Sequence, residues 1–302
     1  MYISIIIPTY NKSKRLELVL YTLCNQNYCH DNFEVIIVDD GSTDNTCDMV
    51  SKFISNRKSN FKYIYQINKG RAAARNKGIE AAIGEVIIFL DDDRLVNSDY
   101  IKQYSTCLEN NSNRNIVILG ERTNLYISKY EENFEEIKQT FFSNPEIILK
   151  RARKEYFWSK VKCIFDNPDI NWIVFATGNV CMYKEQLCDV GKFNERFKGW
   201  GLEDTELGYR LWKNKAKFMY KPEAINFHIE HARNSIERKE DDIRNHNLLY
   251  ELHPELPVLC FTQFVHGEIS LEEFTRRVRG EAENIQVPDV LYHRPNNSLL
   301  YQ

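Results

Sequence analysis

Nowhere in the 302 residues does an apolar run approach the roughly 18 to 20 that cross a bilayer, so no membrane-spanning helix is expected. The opening Met1-Tyr2-Ile3-Ser4 lacks a basic leader and a small-residue cleavage site, which predicts a mature, soluble chain. None of the eight cysteines stands in a CxxC pair. That disfavours a disulfide framework and a knuckle-type zinc site, and implies free thiols in a reducing cytoplasm. Charge of one sign is missing too. With 40 Lys plus Arg, scattered, against 43 Asp plus Glu, the formal net charge is −3, and nucleic acid is not an expected partner. Internal repeats and low-complexity tracts are absent. What remains is 43% apolar residues, ample for a core in one large or two modest domains.

Two periods alternate in the first third. Ile3 to Ile7, Phe33 to Val38, Phe61 to Tyr65 and Val86 to Leu90 are short runs rich in β-branched or aromatic residues, as in strands covered on both faces. Between them, Lys14 to Asn25 carries Leu16, Leu20 and Leu23 at helical spacing, and Arg71 to Ile83 is Ala-rich. This order predicts a doubly wound sheet whose ligands lie beyond the strands' carboxyl ends. Arg122 to Pro168 reads as a helical insertion. Then Trp172 to Tyr183 is strand-like, Glu203 to Asn214 helical, and Lys217 to Tyr220 and Ala224 to His228 short strands. Asn234 to Leu252 reads as a charged surface helix. The last fifty residues read as an accessory tail with breaks at Pro254 and Pro257 and a helix over Leu271 to Arg279.

Polar residues follow the strands: Pro8-Thr9-Tyr10-Asn11, Asp39-Asp40-Gly41-Ser42, Asn68-Lys69-Gly70 and Asp91-Asp92-Asp93. Three adjacent carboxylates repel, and a hard divalent cation such as Mg²⁺ or Mn²⁺ on a diphosphate would hold them ionised. A solvated acidic turn is the plainer alternative. In His228-Ile229-Glu230-His231, strand alternation puts His228 and Glu230 on one face. If His228 reaches the acidic loop, the mixed ligand set favours Mn²⁺, with His231 as the alternative ligand. In Gly199-Trp200-Gly201-Leu202-Glu203-Asp204-Thr205-Glu206, paired glycines let the backbone turn sharply and free an aromatic face for a sugar. Acids in a helix's first turn are ordinary dipole complements, yet one near a metal can also take a proton from an attacking hydroxyl.

Ile5 to Asn11, Val38 to Asp44, Ala74-Arg75-Asn76-Lys77-Gly78-Ile79 and Gly84 through Asp93 resemble the family 2 glycosyltransferases of the GT-A fold. Thr177-Gly178-Asn179 with Gly199 to Glu206 is similar to a galactosyltransferase-type C-terminal block. The likeness covers residues 3 to 120 and 171 to 231. It implies a GT-A, Rossmann-like mixed sheet over residues 1–231: a nucleotide-sugar half (1–120), a helical insertion (121–170) and an acceptor half (171–231). A helical accessory region (232–302) follows. Carried over residue by residue, it implies that Pro8, Thr9 and Asn11 line the nucleotide pocket and that Asp39 holds the nucleobase. Asp40 starts the turn beneath it, and Arg75 supports the uridine or the Asp91 loop. Asp91 meets the ribose or donor sugar in the DxD segment with Asp92, Asp93 binds the cation, and His228 completes the metal site. Asp204 is the base, and Trp200 and Glu203 contact the acceptor.

The activity so implied is metal-dependent, inverting transfer from a nucleotide sugar, UDP-linked, to a glycan, lipid-linked sugar or peptide hydroxyl in the cytoplasm. A binding module without turnover and a nucleotidyltransferase are the alternatives. Self-association is left open, as is peripheral membrane docking through Arg151-Ala152-Arg153-Lys154-Glu155-Tyr156-Phe157-Trp158; a helix covering the core is the plainer reading of that stretch.

Overall fold

The computed structural model describes residues 1–55, 60–155, 158, 162–231 and 235–282, with backbone only for 235–238. The first half runs β1 (Ile3–Thr9), α1 (Ser13–Cys24), β2 (Phe33–Asp39), α2 (Thr46–Ser55), β3 (Phe61–Tyr65), α3 (Arg71–Ala81) and β4 (Val86–Leu90). Then come β5 (Arg94–Val96), α4 (Tyr100–Glu109), β6 (Ile116–Leu125), α5 (Phe134–Ser143), α6 (Glu146–Leu149), β7 (Ala152–Lys154), β8 (Asn179–Tyr183) and α7 (Lys184–Val190). The chain closes with α8 (Glu203–Lys213), β9 (Lys217–Ile229), α9 (Ser235–Leu252), α10 (Leu256–Val265) and α11 (Leu271–Val278).

The strands form one mixed sheet in the order β3-β2-β1-β4-β8-β6-β9-β5, with β7 on β6. β1 to β4 pair in parallel, as their continuous apolar runs predict, whereas β8 is antiparallel to both β4 and β6. Alternate residues divide between two cores. Ile6, Ile36, Val38, Ile87 and Phe89 enter one, and Ile5, Ile7, Val35, Ile37 and Ile88 the other. Burying each such side chain stabilises the fold by about 1.5–3 kcal/mol relative to exposure. Thr9 and Asp39 sit side by side in the β1/β2 register, so the polar segments after these strands share one edge.

Five expectations change. The stretch from Arg122 holds helices, but it begins inside β6 and carries β7, because the polar run Glu121 to Asn124 continues the strand where β6 borders a cavity. Trp172 to Tyr183 is a 3-10 turn at Asn171–Val174 followed by β8. Lys217 to His228 is one strand, β9, whose pairing with β6 shifts register between Gly120 and Glu121. Gly120 is required there, since a Cβ would lie 2.1 Å from the Ala224 carbonyl oxygen. Finally, α9 is no surface helix: Asp242, Asn245, His246, Leu249 and Tyr250 are buried along one face. Pro257 opens α10 rather than breaking the chain, its missing N–H falling where a helix has no use for one. Phe261, Val265 and Phe274 join Leu249 in the core beneath the sheet. Among the described residues no helix is long and apolar enough to cross a membrane.

Candidate active site

A cavity of about 790 Å³ opens at the carboxyl ends of β1 and β4, walled on the far side by the turn at 173–178, the loop 199–205 and the end of β9. Strand β4 delivers its acidic triplet there. Thr9 donates to Asp92 Oδ2 at 2.7 Å, and Lys12 Nζ donates to Asp93 Oδ2 at 2.6 Å while standing 3.4 Å from Asp92 Oδ1. Burial works against the Lys12 charge, but Asp92 and Asp93 outweigh it and raise its pKa. Burial, against the partly offsetting Lys12 charge and reinforced by Asp93, raises the Asp92 carboxyl. For Asp93, burial is overcome by Lys12, His228 and His231, which hold it well below the usual carboxylate range.

Both histidines face that carboxylate: Asp93 Oδ2 lies 3.6 Å from His228 Nε2 and 3.3 Å from His231 Nε2. Both candidate histidines therefore stand at the same corner. One carboxylate oxygen and two imidazole nitrogens lie within 4.8 Å of one another, a mixed set that suits a divalent transition ion such as Mn²⁺. The Lys12 ammonium on the same oxygen shows how strongly this corner attracts positive charge. Glu230 stands 3.4 Å from His228 Nδ1, on the face that strand alternation predicts.

Arg75, on α3 and buried, bridges the two sides. Its Nη1 donates to Glu203 at 2.9 Å and its Nη2 to Asp91 at 3.2 Å. Despite burial, Arg75 and Arg94 keep the Asp91 carboxyl below its ordinary value. Glu203 and Asp204 open α8 just after Leu202, which takes a left-handed conformation (φ 71°), and after Gly199 and Gly201 with φ of 70° and 93°. These positive angles make the sharp turn that the glycine pair predicts. Burial and the Glu203 charge push the Asp204 carboxyl up to about 6, against the pull of Arg75. Such a group is poised to gain or lose a proton near neutrality. Glu206, by contrast, is bound by Arg210 and by His253 at 2.9 Å, which is structural work.

Pro8, Thr9, Asp40, Arg75, Asp91, Asp92, Asp93, Trp200, Glu203, Asp204 and His228 all line this one cavity, whereas Asn11 and Asp39 stand behind its wall. Asp39 accepts from the Ser42 amide and the Tyr63 hydroxyl, both at 2.7 Å; Asn11 Oδ1 accepts from the amides of Thr43 and Asp44. They shape the loop behind the pocket. Sequence reasoning missed Lys12, one residue beyond the Pro8-to-Asn11 segment, and the Arg122–Glu155 pair at 3.0 Å on the cavity wall. Of the basic aromatic stretch, Trp158 is buried, with Arg122 over its ring, and so is withdrawn from any membrane surface; Tyr156 and Phe157 lie outside the described residues. None of the eight cysteines, all among the described residues, is in a disulfide.

The pattern of the family described as Glycosyl transferase family 2 matches residues 4–160. The chain belongs to that family. The pattern described as the N-terminal domain of galactosyltransferase matches residues 160–244. Chondroitin synthase of Escherichia coli is 33% identical over 244 residues, which is 76% of this chain but only 34% of that protein, so the chain spans about a third of this relative. Among solved structures, S. aureus TarS in complex with UDP-GlcNAc superposes with a TM-score of 0.63 at 18% identity, over 93% of this chain and 80% of that one. A Pyrobaculum calidifontis mannosyltransferase in complex with GDP-Man and Mn²⁺ gives 0.58 at 15%, over 92% and 73%. The fold of this family 2 chain is therefore GT-A, as the motifs imply.

Proposed function

We propose that the protein is a metal-dependent, inverting hexosyltransferase that moves a sugar from a UDP-linked donor to a hydroxyl of a cell-surface or extracellular glycan, acting in the cytoplasm. One observation carries the reading: Asp204, its carboxyl raised to about 6 at the start of α8, lines the same cavity as Asp91–Asp93, His228 and His231. Donor-side charge and an acceptor-side base thus share one chamber. The relatedness to chondroitin synthase supports a glycan product, and the TarS and mannosyltransferase complexes support a nucleotide sugar.

Asp93, His228 and His231 would hold Mn²⁺ or Mg²⁺, which when bound supplies positive charge to a departing diphosphate. Pro8 and Thr9 border the nucleotide, with Asp39, Asp40 and Asn11 fixing the loops beneath the nucleobase. Asp91, kept ionised by Arg75 and Arg94, meets the ribose or donor sugar beside Asp92. Across the cavity, Trp200 and Glu203 seat the acceptor, and Asp204 takes its hydroxyl proton as it attacks the anomeric carbon from the opposite face. A single displacement inverts the centre and needs no covalent intermediate. Residues 1–120 then serve the donor and 171–231 the acceptor, framed by 121–170 and 232–302.

The test is donor hydrolysis, which requires no knowledge of the acceptor. Protein with Mn²⁺ and a panel of nucleotide sugars should release nucleotide from one donor, and chelator or Asp93→Ala should stop it. Neither release nor calorimetric binding with any UDP-sugar sinks the reading.

A further inference from the structure

We propose that Asp242, His246 and His266 form a second, structural metal site of the Zn²⁺ type, which ties α9 to the end of α10 away from the catalytic cavity. Asp242 and His246 lie one helical turn apart on α9, and His266 directly follows α10. They are 1%, 0% and 3% exposed. Each offers a ligand atom, all within 4.8 Å of one another, and none of the three lines the cavity.

The spacing suits an ion. Two donors each about 2.0–2.1 Å from Zn²⁺ at a tetrahedral angle sit about 3.4 Å apart. Asp242 Oδ2 is 3.1 Å from His266 Nε2, and Asp242 Oδ1 is 3.5 Å from His246 Nε2. Those values bracket the requirement. An imidazole-rich set with one carboxylate also selects Zn²⁺ over Mg²⁺ or Ca²⁺.

Both outer ring nitrogens are anchored. His266 Nδ1 lies 2.7 Å from the Thr262 carbonyl oxygen, which can only accept, so the proton is on Nδ1. Its Nε2 faces the Asp242 carboxylate, 3.1 Å from Oδ2. His246 Nδ1 lies 3.1 Å from the Thr262 hydroxyl, which can donate or accept, and its Nε2 stands 3.5 Å from the other carboxylate oxygen. Among the described residues, Asp242 Oδ1 accepts no hydrogen bond. An outer nitrogen anchored on backbone or hydroxyl is how metal-binding histidines are oriented.

Placement gives the ion a consequence. Asp241 and Asn245, the neighbours of Asp242 and His246, hold the loop that carries Trp200. Fixing α9 against α10 therefore fixes one wall of the cavity from behind.

The test separates this centre from the one at Asp93. Full-length Asp93→Ala/His228→Ala protein, loaded with Zn²⁺ and dialysed against metal-free buffer, should retain about one zinc per chain by mass spectrometry. Adding His266→Gln should remove it. Zinc at saturating concentration should raise the melting temperature of the double variant by about 5 °C. Because the triple variant could unfold, Co²⁺ titration of the double variant gives a second readout, the strong visible absorption of a four-coordinate ion. No retained zinc, no Co²⁺ absorption, or zinc unchanged by His266→Gln in folded protein would each overturn the site, leaving a protonated His–Asp pair in its place. Donor hydrolysis is not read, so the outcome is independent of the proposed activity.

Discussion

On the bank of the cavity built after β1 and β2, polar side chains are tied up close to home. Asp40 accepts from Gln66 at 2.7 Å and from the amides of Lys69 and Gly70 at 2.9 and 2.8 Å; Asp39 and Asn11 close the turn at 42–44. On the opposite bank, the loop at 198–201 is held from α9, some forty residues later. Asp241 accepts from the Trp200 amide at 2.7 Å, and Asn245 Nδ2 donates to the carbonyls of Lys198, Trp200 and Gly201 at 3.1, 3.1 and 2.9 Å. Gly199 is needed for that closeness, since a Cβ there would meet the Asp241 carboxylate at 2.2 Å. The first bank is thus fixed by its own strands and loops, whereas the second inherits its shape from a later helix. Arg75 joins both through ion pairs to Asp91 and Glu203.

Asp204→Asn should break the contrast most sharply. Transfer should fall about 10²- to 10⁴-fold, the usual contribution of a positioned base, while nucleotide affinity measured by calorimetry persists. Equal loss of affinity would show that the banks are not separable. Arg75→Met severs the link between them and leaves buried Glu203 and partly buried Asp91 with longer pairs, to Arg71 at 3.8 Å and Arg94 at 3.6 Å. Stability should drop by about 3–5 kcal/mol in urea titrations.

The raised Asp204 carboxyl gives a pH signature with a definite sign. Between roughly pH 4 and 6 the native chain keeps a proton that the unfolded chain releases, so this group's contribution to stability declines as pH rises and is gone above about 6. The swing is on the order of 3 kcal/mol, and Asp204→Asn should abolish it. Transfer should move oppositely, falling about tenfold per unit below pH 6 as the base becomes protonated. A flat profile in both measurements would remove Asp204 from the role.

The smallest effect is expected for Asn245→Ala. Losing a donor shared by three carbonyls should lower stability by about 1–2 kcal/mol and raise the acceptor KM, with acceptor-free donor hydrolysis unchanged. A matching loss of hydrolysis would mean that α9 supports the donor bank as well.

The first bank was the more legible one. Its strands are unbroken β-branched runs, and its acids follow them directly, so periodicity alone puts Asp40 and Asp91 at one edge. Lys12 escaped notice because nothing local distinguishes it; its partner Asp93 lies 81 positions away and reaches it only through the parallel crossover. Strand β6 was misread for a related reason. From Arg122 the stretch reads as a helical insertion, yet the Glu121, Arg122, Thr123 and Asn124 side chains are half-buried in a strand that borders the cavity. Helix α9 carries so many charges that its inward face, at Asp242, Asn245, His246 and Leu249, reads as solvent-facing until its neighbours are known. Several of the residues hardest to foresee are polar groups whose partners are distant in sequence.

The irregularity at Gly120 works as a parity switch. Before it, the odd-numbered Val117 and Leu119 enter the core beneath the cavity, and Ile116 and Ile118 the opposite one. After it, the even-numbered Arg122 and Asn124 face the cavity, while Leu125 joins the opposite core. One strand thereby changes trade halfway along its length, from insulating the molecule's interior to furnishing its working chamber, and the residue that permits the exchange has no side chain at all.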